Sequence, residues 1–229
     1  MTGAGRASIG LLGKHPGYGD FLRAGLSDRV ADGLTGWIDA TLAELRDELG
    51  RDWEPFWDAA QELRFRVGRA VLGRTLAGVL RPSRDRVGRR YPLLLLTEGA
   101  EVAPPTAGEG GQDLWEALSE HLDRAEPGHG ARALLRGLEL AIEAEPAERA
   151  SEGPVVWAHR PDGDLGALLR AARPVEAERA ALVRAQFWTP GNERSAAQWL
   201  AGTGLPEARA LAWMLAGVAA DGCDTGERQ

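Results

Sequence analysis

Leu63-Arg64-Phe65-Arg66-Val67 alternates apolar and charged residues, and a period of two marks a β-strand with one covered and one solvated face. Gly68 ends that strand, placing Arg64 and Arg66 on the exposed side. Two further apolar runs follow at close spacing, Thr75 to Leu80 and Pro92 to Thr97, separated by Gly73 and by a polar loop from Pro82 to Arg90. Such short connections favour antiparallel pairing. The run Leu93-Leu94-Leu95-Leu96 is too short for a membrane span and reads as a central strand covered on both faces.

Upstream, Val30, Leu34, Trp37, Ile38, Thr41, Leu42, Leu45 and Leu49 recur at three- and four-residue steps and form one apolar helical face. Ser27 is its N-cap, Asp28 suits the first turn and Gly50 the C-terminal stop. An aromatic helical piece spans Trp53 to Ala60. Downstream, Asp113-Leu-Trp-Glu116 has capping-box spacing with Asp as the cap, and Leu134, Leu138, Ala141 and Ile142 predict a second helix. Pro154 to Ala158 and Ala185 to Thr189 read as strands, Leu165 to Ala172 as a short helix, and Pro206 opens a last helix carrying Leu211, Met214, Leu215 and Val218. Strand clusters alternating with helix clusters give an α+β fold, a mainly antiparallel central sheet flanked by helices. Residues 99–112, rich in Gly, Pro, Glu and Ala, read as a linker, and 221–229 as a flexible tail of one domain spanning 1–229.

The composition, 44% hydrophobic and 27% charged with a net charge of −7, predicts a globular protein that neither inserts in a membrane nor binds nucleic acid generally. The residues before Ile9 lack the apolar core of a signal peptide, so a cytoplasmic address is expected. Cys223, the single cysteine, allows neither an intrachain disulfide nor a cysteine metal cluster. His15, His121, His129 and His159 are spread without metal-ligand spacing, Asp162-Gly-Asp164 reads as a polar turn, and no cofactor or catalytic group is indicated.

Two loops hold most of the chemistry. Gly10-Leu11-Leu12-Gly13-Lys14-His15-Pro16-Gly17-Tyr18-Gly19-Asp20-Phe21 is a glycine-dense turn holding the chain's only lysine. Its Gly-Lys pair suggests a phosphate cradle, but Ser8 stands where that motif needs glycine and His15 where it needs a magnesium-binding hydroxyl. Arg81-Pro82-Ser83-Arg84-Asp85-Arg86-Val87-Gly88-Arg89-Arg90-Tyr91-Pro92-Leu93 places arginine forks, suited to carboxylate or phosphate, beside Ser83. Asp85 either pairs internally with a neighbouring arginine or joins a ligand site. Asp20 is expected to fix the turn of the first loop.

These two segments resemble the TagF (ImpM) family of type VI secretion accessory proteins, whose members carry Gly-[FY]-Tyr-Gly-Lys-Leu-Pro-x-x-Gly-Asp-Phe and Met-Pro-Ser-x-Asp-Arg-Val-Gly-Arg-x-[FY]-Pro-Leu. Ala185-Gln186-Phe187-Trp188-Thr189 and Gly204-Leu205-Pro206 resemble later elements of the family, with Ala185 and Phe187 departing from its Ser and first Trp. The resemblance implies a cytoplasmic, post-translational negative regulator of apparatus assembly or firing, not an enzyme. Its implied partner is the forkhead-associated scaffold protein, with other members of the threonine-phosphorylation pathway as further partners. On this basis Lys14, Tyr18, Asp20, Phe21, Ser83, Asp85, Arg86, Arg89 and Trp188 are the expected motif or partner-binding residues. The competing reading is a phosphate- or nucleotide-binding domain using the Lys14 loop and the Arg81 to Arg90 segment.

Overall fold

The computed structural model describes residues 6–106, 111–145, 156–176, 183–193 and 195–219. Cys223, the 221–229 tail and the predicted strand start at Pro154 lie outside them. Eight strands form one sheet: β1 (Ser8–Gly13), β2 (Leu22–Ala24), β3 (Leu63–Val67), β4 (Leu76–Arg81), β5 (Leu93–Glu98), β6 (Val156–Arg160), β7 (Ala185–Thr189) and β8 (Ala197–Gly202). Their spatial order is β2-β1-β5-β4-β3-β7-β8-β6, and every pairing is antiparallel. The fold is therefore the expected α+β class.

Side-chain alternation sorts the sheet residues onto two faces. Leu12, Leu63, Phe65, Val67, Leu76, Leu80, Leu94, Leu96 and Phe187 point to one core, covered by α1 (Asp28–Leu49), α2 (Trp53–Ala59) and α6 (Ala208–Ala216). Leu11, Ala77, Val79, Leu93, Leu95, Trp188 and Trp199 point to the other, covered by α4 (Asp113–Arg124) and α5 (Leu165–Glu176). The Leu93 to Leu96 run is thus buried on both sides, as its composition implies. In α1, Ser27 Oγ accepts from Val30 N–H at 3.4 Å, and Val30, Leu34, Ile38, Leu42 and Leu45 are buried. Each such side chain contributes roughly 1.5–3 kcal/mol by leaving water.

Several sequence expectations give way to tertiary context. Arg64 and Arg66 do not form a solvated strand face: they are 9% and 3% exposed, because α4 and the segment after β5 cover that side of β3. Arg64 donates to Gln112 Oε1 at 2.8 Å, and Arg66 Nε to the Val102 carbonyl at 2.7 Å. Desolvation lowers both guanidinium pKa values, that of Arg66 to about 10. Asp113 is not a cap but the first residue of α4; Gln112 holds the N-cap position, its side chain engaged with Arg64 and Trp188 instead. The predicted helix through Ile142 is only a 3₁₀ segment, Ala131–Leu135, set between Gly130 (φ 75°) and Gly137 (φ 79°), whose left-handed backbones break helical geometry. The last helix begins at Ala208 rather than Pro206. Residues 99–106 pack beside the sheet, with Glu101 N–H donating to Glu143 O at 2.8 Å. Strands β2 and β8 and the four-residue helix α3 (Arg69–Leu72) are additional to the elements expected.

Candidate functional site

The glycine loop and the arginine hairpin meet at the end of β1 and β5. Gly13 closes β1 with φ 124°, a conformation in which a Cβ would lie 2.0 Å from the Pro92 carbonyl oxygen. Lys14 N–H donates to that same oxygen at 3.2 Å. Gly13→Ala is therefore expected to cost about 2–3 kcal/mol in urea unfolding, because strain and contact act together. The loop then turns through His15 to Tyr18: Tyr18 N–H donates to His15 O at 2.9 Å and Gly17 N–H to His15 Nδ1 at 3.0 Å. Burial lowers the pKa of His15. The Tyr18 hydroxyl accepts from Gly128 N–H at 2.8 Å, tying the loop to the segment after α4.

The hairpin is organised around one carboxylate. Arg84 and Arg90 form the bridge at its base, Asp85 N–H donates to Arg89 O at 3.1 Å, and Gly88 turns the tip with φ 90°. Asp85 Oδ1 accepts from the backbone of Val87 at 3.1 Å and of Arg89 at 2.9 Å. Oδ2 accepts from Arg89 Nε at 2.6 Å and lies 3.2 Å from Lys14 Nζ. The carboxylate is buried among these donors. Burial alone would raise its pKa, but the Arg89 backbone and guanidinium N–H groups and the Lys14 ammonium outweigh burial and hold it well below the usual carboxylate range.

Two more bonds lock the loops together: Arg89 Nη2 donates to Gly19 O at 2.6 Å, and Arg86 N–H to Tyr18 O at 2.8 Å. From the helical side, Trp57 Nε1 donates to Ser83 O at 2.8 Å, Arg90 pairs with Asp58 at 2.7 Å and Glu54 at 2.9 Å, and Arg46 donates to Arg90 O at 3.0 Å. Phe21 packs edge-on against Tyr91, ring centroids 5.4 Å apart.

Thus Lys14, Tyr18, Phe21, Asp85, Arg86 and Arg89 come together, and Ser83 supports them through its backbone carbonyl. Asp20 is exposed and does not fix the turn: among the described residues it makes no hydrogen bond or ion pair, and His15 and Tyr18 hold the turn instead. Trp188 lies apart, fully buried in the α4–α5 core. Lys14 is spoken for by Asp85, which weighs against a free phosphate cradle. The lock leaves outward-facing Phe21, 40% exposed, Val87, 70% exposed, and the exposed Arg84 and Arg86, which form no ion pair among the described residues. A groove of about 640 Å³ runs beside them, lined by Phe21, Arg46, Trp53, Val87, Arg89 and Tyr91 among others. Nothing in the sequence pattern joins Val87, Tyr91 and Trp53 to one site, although an apolar Val87 at the tip of a charged hairpin is itself a signal.

Lys14→Met removes one of four donors to Asp85, and because the Val87 and Arg89 backbone N–H groups and the Arg89 guanidinium still hold the carboxylate, the melting temperature is expected to fall by only about 2–4 °C. Thermal unfolding measures it.

Among solved structures, the chain is similar to the crystal structure of PA0076 from Pseudomonas aeruginosa PAO1, at 25% identity over 91% of this chain and 94% of that one, with a TM-score of 0.65. No curated protein matches it. No helix among the described residues is long and apolar enough to cross a membrane. Residues 10–139, which contain both interlocked loops, match the TagF N-terminal domain, type VI secretion system-associated. The chain belongs to the TagF family of type VI secretion system-associated proteins.

Proposed function

We propose that this protein is a cytoplasmic, non-enzymatic regulator that restrains assembly or firing of the type VI secretion apparatus by binding another protein, the forkhead-associated scaffold, through the face built by the glycine loop and the arginine hairpin. One observation carries this reading. The polar groups at the heart of the two family segments satisfy one another, and what they display outward is a pair of apolar side chains flanked by arginines. Exposed aromatic and aliphatic groups with an arginine rim suit a protein interface. Chemistry on a small molecule would instead require converging free polar groups.

The test is capture of the scaffold by the purified protein, with secretion measured in a deletion strain complemented by each variant. Wild-type protein should capture the scaffold and lower secretion. The double variant Phe21→Ser/Val87→Ser should lose at least about tenfold in capture and fail to lower secretion, with a melting temperature within about 5 °C of wild type because only the Phe21–Tyr91 contact is lost. Absence of capture in either phosphorylation state, with secretion unaffected by deletion, would contradict the proposal. Millimolar ATP, GTP or inorganic phosphate is expected to leave the melting temperature unchanged, whereas a ligand specific to the folded state would raise it.

A further inference from the structure

The geometry points to the groove between the hairpin tip and helices α1 and α2 as the seat of an extended acidic peptide segment carrying one bulky apolar side chain, its acids supplied by Asp and Glu. This inference rests on the protein-binding reading above and names the chemistry of what is bound. The floor is apolar and aromatic: Phe21 and Tyr91 pack edge-on, Trp53 closes the helical side, and Val87 overhangs. At about 640 Å³ the groove has room for a few side chains, the scale of a peptide rather than a whole domain.

Charge selects the peptide. Lys14, Arg46, Arg89 and Arg90 line the groove together with Asp39 and Glu54, while Asp85 pairs with Lys14 and Arg89 and Asp58 with Arg90. The excess of positive charge comes from Arg84 and Arg86, which are exposed on the adjoining hairpin and form no ion pair among the described residues. A local excess of cations on a chain of net charge −7 attracts acidic segments and repels basic ones. The cations do not converge on a single point. Arg89 is anchored on Asp85 and Gly19, Arg90 on Glu54 and Asp58, and Arg46 on the Arg90 carbonyl while it lies over the Trp53 ring at 5.1 Å. A doubly charged phosphate is held by several guanidinium or ammonium groups turned onto one spot. Positive charge spread along a groove instead matches carboxylates spread along a chain.

The experiment pans the purified protein against a displayed library of random heptapeptides and, in parallel, against one with a fixed central phosphothreonine. The expected result is enrichment, from the unphosphorylated library, of peptides with two or more Asp or Glu around a Phe, Leu, Ile or Trp. A fluorescein-labelled peptide of the enriched sequence should bind about tenfold more weakly in 300 mM than in 50 mM salt. It should also bind about tenfold more weakly to Phe21→Ser, Val87→Ser and Arg86→Glu. Val87 and Arg86 are exposed and Phe21 loses only its contact with Tyr91, so folding is checked by a melting temperature that stays within about 5 °C of wild type. No enrichment, enrichment of basic or uncharged peptides, selection only from the phosphothreonine library, or binding indifferent to the three variants would overturn the inference. If the scaffold is captured while panning fails, only the groove's occupant is wrong. If acidic peptides bind while the scaffold is not captured, the groove stands and the partner assignment falls.

Discussion

Asp85→Asn lowers the melting temperature by an expected amount on the order of 10 °C at pH 7, although the substitution changes neither size nor backbone preference much. The reason is directional. All the hydrogen-bonding groups around the carboxylate are donors: the backbone N–H of Val87 and Arg89, Arg89 Nε and Lys14 Nζ. An asparagine presents one oxygen and one NH2, so two donors meet a donor and Lys14 loses its counter-charge in a site largely closed to water. Loss of the lock also frees Arg89 from Gly19, so the two loops separate at the same place. The pH dependence carries its own sign. Because the folded-state pKa of Asp85 is depressed, its stabilisation is fully present above the unfolded value of about 3.9 and is lost as pH falls from there through the folded-state titration. Melting curves from pH 8 down to pH 2 should therefore show a wild-type protein whose advantage over Asp85→Asn is constant to about pH 5 and shrinks below pH 4. A constant advantage down to pH 2, or none at pH 7, would show that the carboxylate does not organise the hairpin.

The parts of this molecule legible in its sequence are those whose cause is local. The Ser27 cap, the α1 apolar face and the short spacing of β3, β4 and β5 each reside within a few residues of one another, and the structure has them within a residue or two. The burial of Arg64 and Arg66 is not legible in the alternation because their surroundings come from elsewhere: Gln112 and Val102 are dozens of residues away, and alternation cannot tell a solvated arginine from one that ends on a distant amide or carbonyl. Strand β8, Ala197-Gln198-Trp199-Leu200-Ala201-Gly202, lacks β-branched residues and is held by its neighbours β7 and β6 rather than by propensity. The same division holds at the candidate site. Both loops were recognisable as segments, and the internal pairing of Asp85 with an arginine was one of two readings open. The groove was not recognisable, because Trp53 and Arg46 reach it from helices that only the folded chain brings to the hairpin.

Trp188→Ala is expected to cost about 3–5 kcal/mol, a fall in melting temperature of roughly 10 °C, without altering the proposed partner-binding face. Trp188 is fully buried, meets Trp115 in a T-shaped contact with centroids 4.8 Å apart, and lies opposite Arg64 in the β3–β7 register. Its Nε1 donates to Gln112 Oε1 at 2.9 Å, the same oxygen that accepts from Arg64 at 2.8 Å. That shared acceptor separates the packing contribution from the polar one. Trp188→Phe keeps an aromatic ring and leaves the Gln112 oxygen satisfied by Arg64, so its expected cost is only about 1–2 kcal/mol. Gln112→Leu is the more damaging polar change, because it strips the buried Trp188 N–H and the Arg64 guanidinium of one acceptor at once and leaves Arg64, among the described residues, the ion pair with Glu116 at 3.7 Å and the more distant charge of Glu62. In the double variant Trp188→Phe/Gln112→Leu the indole N–H is no longer orphaned, so the two losses should sum to less than their separate values, as expected for residues sharing a partner. Urea unfolding of the four proteins measures the cycle, and additive losses would mean that the shared hydrogen bond contributes nothing. If Trp188→Ala proteins that remain folded still bind the scaffold as wild type does, Trp188 acts through the core. Selective loss of binding at unchanged stability would instead return it to the interface.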